Sequence, residues 1–116
     1  MFIWEKFAKI FSRFLGGKRI IKMTFEDEKI EVILVEKLIP NWAWAQTWGR
    51  VILVKKFVYP NYLNSVLKHE VVHVRQWKKY GLFFPLIYLW ASFKALLRGE
   101  DQYHGNEFEK EAYNRN

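Results

Sequence analysis

The chain has 116 residues, a net charge of +7, a composition that is 51% hydrophobic and 19% aromatic, and no cysteine. That length predicts one domain, and the wealth of apolar residues argues against global disorder. The missing cysteine removes disulfides, thiolate ligands and thiol nucleophiles together, leaving His, Asp and Glu as candidate metal ligands; the positive charge suits anionic partners, and equally a solvated surface.

Residues 1–15 place Ile3, Phe7, Ile10, Phe11 and Phe14 on one helical face, with Glu5, Lys6, Lys9 and Arg13 elsewhere, which predicts an amphipathic helix. Its charges interrupt every stretch that could serve as the apolar region of a signal peptide. After Gly16-Gly17, residues 18–25 and 29–35 are β-rich runs around a Glu26-Asp27-Glu28 tip, read as a hairpin. Residues 40–47 carry Trp42 and Trp44 without clear periodicity, and residues 50–58 return to a β-branched pattern, a third strand. Leu63, Val66, Leu67, Val71 and Val74 then recur at helical spacing, predicting a central helix over residues 62–80 that Gly81 stops.

A second helix is expected over residues 85–98. The segment 81–97 is strongly apolar but holds Pro85 and Lys94 and is shorter than the roughly 20 residues a membrane-spanning helix needs, so it reads as a buried helix. Asn106 can cap a short third helix over residues 107–113. The expected fold is therefore α/β of the α+β type in a single domain, residues 1–116. A small antiparallel or mixed three-stranded sheet packs on the central helix, with an N-terminal amphipathic helix and two C-terminal helices.

The central helix contains His69-Glu70-Val71-Val72-His73, the H-E-x-x-H pattern. Residues four apart share a helical face, so both imidazoles can reach one ion, while Glu70 projects from the next position, suited to proton transfer rather than ligation. A catalytic zinc site needs a third protein ligand and an open position. Downstream candidates are His104, Glu107, Glu109 and Glu111; Phe108 and Ala112, four apart, should pack inward, and Glu109 adjoins that inner face. Gln76, three residues beyond His73, shares the face of the ligands and is either a support for them or a surface residue.

The run Glu109-Lys110-Glu111-Ala112 resembles the E-x-x-A segment that follows H-E-x-x-H in gluzincin peptidases, and the order of elements resembles a minigluzincin over nearly the whole chain. Minigluzincins are minimal metallopeptidases similar to the catalytic domains of integral-membrane peptidases. The resemblance implies a metallopeptidase binding one Zn2+ through His69, His73 and Glu109, with Glu111 the runner-up ligand and His104 the third choice. It further implies that Glu70 activates the catalytic water, that peptides or proteins are the substrate, and that the strand at residues 50–55 is an edge on which extended substrate pairs. Where the larger relatives place Asp after the E-x-x-A segment, Tyr113 stands here, a hydrogen-bond donor. Tyr103, His104 and Tyr113 are the candidate oxyanion donors. Latency through C-terminal segments, associated with minigluzincins, implies a zymogen in which residues 114–116 fold over the cleft.

The competing expectation is non-catalytic: a module that binds a membrane or partner through residues 1–15, with zinc structural only. The dispersed cations and the lack of a nucleic-acid module argue against nucleic acid as a partner. A cytoplasmic protein without a transmembrane helix, peripheral to a membrane, is expected.

Overall fold

The computed structural model describes residues 2–17 and 19–115; Met1, Lys18 and Asn116, and with them part of the expectations for residues 1–15, 18–25 and 114–116, lie outside it, as does the Arg115 side chain. The chain runs α1 (Phe2–Phe14), β1 (Arg19–Phe25), β2 (Glu28–Val35), β3 (Ala45–Trp48), β4 (Val51–Lys55), α2 (Leu63–Tyr80), α3 (Phe84–Leu97) and α4 (Glu107–Arg115). The class is α+β, with a mixed sheet in the order β1-β2-β4-β3.

The hairpin of β1 and β2 turns at Glu26 and Asp27, both with positive φ, as a two-residue turn that follows the strand twist requires. The Arg75 guanidinium on α2 donates to the Glu26 carbonyl at 3.0 Å, holding the tip against the central helix. β2 pairs with β4 in parallel, and β4 pairs antiparallel with β3, so β4 is internal and β3 forms one edge, with β1 at the other. Three expectations are corrected here. The sheet has four strands rather than three, because β3 lies in the stretch that showed no periodicity. The strand expected over residues 50–58 ends at Lys55, where a 3-10 turn, Lys56–Val58, turns the chain towards α2. The expected edge role of residues 50–55 falls with this, since partners on both sides occupy that strand.

One face of the sheet meets α2: Ile30, Val32, Leu34, Ile52 and Val54 pack with Leu67 and Val74. The other face carries Ile33, Val35, Val51 and Leu53 against Ala8 and Leu15. Thus β2 and β4 are covered on both faces, as their near-continuous Val/Ile/Leu runs require. The Glu5 carboxylate accepts from the Arg50 backbone N–H at 2.6 Å, fastening α1 to the β3-β4 turn. Gly49 occupies that turn at φ +65, and an added Cβ would come within 2.5 Å of Glu5 Cγ, so the contact requires glycine.

α1 rests on the sheet through its small face, Ala8 and Ser12, and leaves Ile3, Phe7, Ile10 and Phe14 exposed. α3 corrects the burial expected for residues 81–97. Only Phe84, Ala91 and Ala95 of this helix are buried, whereas Leu86, Leu89, Trp90, Phe93, Leu96 and Leu97 are each at least 50% exposed. The stretch Leu63–Leu97 contains an 18-residue window long and apolar enough to cross a membrane by length and composition.

Candidate metal centre

Four elements converge on one point. α2 presents His69, Glu70 and His73, all buried, on the side that faces β3 and α4. α4 is anchored by Asn106, whose Oδ1 accepts from the Phe108 N–H at 2.8 Å as an N-cap and whose Nδ2 donates to the Tyr88 carbonyl at 3.0 Å and Ser92 Oγ at 2.8 Å. With the start of α4 so tied to α3, Phe108 enters the aromatic cluster of Trp77 and Phe84, and Ala112 is fully buried. Helical geometry then carries Glu109 onto α2.

Glu109 Oε1 lies 3.1 Å from Nε2 of His69 and 3.1 Å from Nε2 of His73. Ligand atoms about 2.0–2.2 Å from a tetrahedral ion stand about 3.3 Å apart, so this spacing fits a shared cation. The His69, Glu70 and His73 donor atoms also lie within 4.8 Å of one another, which makes Glu70 a rival carboxylate. Distance and partners separate the two: Glu70 Oε2 is 3.8 Å from His69 Nε2, and its Oε1 accepts from the Thr47 hydroxyl at 2.9 Å. Glu109 is therefore the carboxylate nearer both imidazoles, with Glu70 standing beside them on Thr47.

The supporting contacts fix orientation. His73 Nδ1 lies 2.8 Å from Gln76 Oε1, while Gln76 Nε2 donates to the Phe108 carbonyl at 3.1 Å and to Glu111. Because the Gln76 oxygen can only accept, His73 carries its proton on Nδ1 and turns the Nε2 lone pair towards Glu109. A lone pair 3.1 Å from a carboxylate oxygen repels it unless a cation or a second proton lies between them. In the metal-free protein the proton serves: burial opposes the charged imidazolium, but the hydrogen bond and charge of Glu109 outweigh it and raise His73 to about 9. Burial likewise acts to raise Glu109, and its bonds with His69 and His73 overcome this, holding the carboxyl well below its usual range. The donor set, two imidazoles and a carboxylate, fits zinc or another borderline divalent ion.

Tyr88, on α3, donates its hydroxyl to Glu109 Oε2 at 2.6 Å, leaving Oε1 for the histidines. No motif points to this residue or to Thr47. Gln76 is buried and bonded to His73 rather than lying on the surface. Glu111 holds Gln76, Glu107 pairs with Lys94, and His104 is exposed on Asp101, so none of these joins the cluster. The Tyr113 ring packs edge-on against His69 with centroids 4.5 Å apart, and its hydroxyl lies 3.3 Å from that of Tyr103. Burial, followed by the charge of Glu109, raises Tyr103, which keeps its phenol protonated as a donor. Asn114 continues α4 and is exposed; Asn116, on which the tail expectation also rests, lies outside the described residues. No protein-family model matches the chain, and neither curated proteins nor solved structures give a significant match.

Proposed function

We propose that the chain is a zinc-dependent peptidase of the gluzincin type. The observation that carries this reading is the placement of Glu109 Oε1 3.1 Å from both imidazole Nε2 atoms, with the Glu70 carboxylate, held by Thr47, beside them. His69, His73 and Glu109 would hold the ion, which when bound supplies a Lewis acid that polarises the scissile carbonyl and acidifies water. Glu70 takes the proton from the attacking water as its oxygen bonds to the carbonyl carbon. It returns that proton to the amine nitrogen as the C–N bond breaks, so no group on the protein is consumed. Thr47 and the helix hold one carboxylate oxygen so that the other faces the reacting water.

β3 is the strand on which an extended peptide would pair, because it is the sheet edge beside α2. The Trp77 indole N–H already occupies the Thr47 carbonyl at 3.1 Å, so pairing would use the Ala45 end. The test is metal analysis together with cleavage of an unfolded protein. The parent should bind about one zinc per chain and cleave; His73→Ala and Glu109→Ala should lose metal affinity. Glu70→Gln should keep the metal and lose about 10²–10⁴-fold in turnover. Tightly bound zinc without cleavage in the parent would make the ion structural and end the peptidase reading.

A further inference from the structure

The exposed apolar residues of α1 and α3 are arranged, not scattered. At 100° per residue, Leu86, Leu89, Trp90, Phe93, Leu96 and Leu97 fall within one third of the α3 circumference, and that outward arc holds no polar residue. A wide exposed apolar arc on a helix belongs against a partner or lipid, and here the buried side of α3, with Phe84, Tyr88, Ala91 and Ala95, is the one that meets the rest of the chain. Ile3, Phe7, Ile10 and Phe14 form a second exposed arc on α1. The two helices adjoin where the Trp4 indole donates to the Leu82 carbonyl at 2.9 Å, and Leu82 and Phe83 are themselves exposed. Exposed apolar arcs on neighbouring elements, linked through Leu82 and Phe83, mark a docking site.

From this arrangement we infer that α1 and α3 together form a membrane-docking face that lies in the plane of an anionic bilayer surface. Charge selects the occupant. Lys6 and Arg13 line one border of the α1 arc and Lys79 precedes α3, while the neighbouring Lys9, Lys78, Lys94 and Arg98 pair with Glu31, Glu28, Glu107 and Glu100. α3 has no acidic residue, and the single one on α1, Glu5, is turned inward onto Arg50. Apolar arcs bordered by cations match the boundary between acyl chains and anionic headgroups. A second copy of this chain would bring +7 against +7.

The helix lies in the plane rather than crossing it. Although the stretch Leu63–Leu97 holds a window long and apolar enough to cross, α3 itself, Phe84–Leu97, extends only roughly 21 Å, short of the hydrocarbon thickness, and its Ser92 and Lys94 lie outside the apolar arc. The inner side of α3 is also committed to the domain, through Tyr88 on Glu109 and Asn106 on Tyr88 and Ser92.

The test is co-flotation of the full chain with vesicles of phosphatidylcholine alone or containing phosphatidylglycerol at about one part in three. The parent should bind the anionic vesicles at least tenfold better. Dibrominated lipid should quench its tryptophan fluorescence, with part of that quenching lost in Trp90→Phe. The pair Leu89→Glu and Phe93→Glu, on the outward arc, should abolish binding with circular dichroism and melting temperature retained, whereas Lys6→Glu with Arg13→Glu should remove only the preference for anionic lipid. No binding to either vesicle, or binding undiminished by the α3 pair, overturns the inference. A dimer in lipid-free buffer that the same pair dissociates also overturns it, assigning the face to a second copy.

Discussion

The side-chain carbonyl of Gln76 lies 2.8 Å from Nδ1 of His73, and this contact decides which nitrogen of that imidazole faces the centre. Gln76 meets His73 and Phe108 at once because it follows His73 by three residues on α2 while its amide nitrogen reaches across to α4. Replacement by Leu keeps the volume and removes both contacts, so the ring loses its fixed tautomer and the Phe108 carbonyl its donor. Zinc affinity, measured by competition with a chelator, should fall about 10–100-fold in Gln76→Leu with the helical content unchanged. Unchanged affinity would show that helix geometry alone orients the ring.

Tyr88 reaches the centre from α3 and donates to the Glu109 oxygen that does not face the histidines. Tyr88→Phe leaves a buried carboxylate oxygen without its donor and should cost about 1–3 kcal/mol of stability. The loss is read as a lower urea midpoint at constant slope. Metal affinity should weaken in parallel, because Glu109 gains freedom to rotate away from the imidazoles.

The parts that could be read from sequence are those set by local periodicity. The 3.6-residue spacing of Leu67, Val71 and Val74 defines α2 and its buried face, and so places His69 and His73 together. The four-residue spacing of Phe108 and Ala112 likewise orients α4. β3 was hidden because all four of its residues are half-buried, giving no alternation to detect, and its edge position depends on the non-local parallel pairing of β2 with β4. The outward face of α3 was hidden for a different reason: an apolar circumference carries no information about which side meets the rest of the chain. Thr47 and Tyr88 each act across more than twenty residues of sequence, a relationship no spacing encodes.

Thr47 binds the Glu70 carboxylate with its hydroxyl while its own carbonyl holds Trp77, so β3 and Glu70, the proposed general base, share one attachment. Thr47→Val keeps the branched shape and the backbone contact and removes only the hydroxyl. A hydrogen bond to a charged group is worth about 1.5–3 kcal/mol, so turnover on an unfolded protein should fall by roughly 10–100-fold at full zinc occupancy. Loss of zinc from this variant would instead implicate Thr47 in holding the site together.

The His73 and Glu109 pair gives the metal-free protein a distinctive dependence on pH. His73 has its folded value raised to about 9 from 6.5, so its contribution to stability is complete below about pH 6.5 and is lost as pH rises through 9. Glu109 is depressed, so its contribution is present above the usual carboxylate range and disappears only as pH falls through its low folded value. With zinc chelated, the unfolding free energy, read from the urea midpoint at constant slope, should therefore decline between pH 6.5 and 9 by an amount on the order of a few kcal/mol. Saturating zinc should abolish that alkaline decline, because the ion takes the place of the proton between Nε2 and Oε1, and should introduce an acid limit where protons displace it. Glu109→Gln removes the carboxylate that raises His73, so its metal-free stability should be flat over the same interval. A sloping profile in that variant, or a flat one in the chelated parent, would assign the titration to another group.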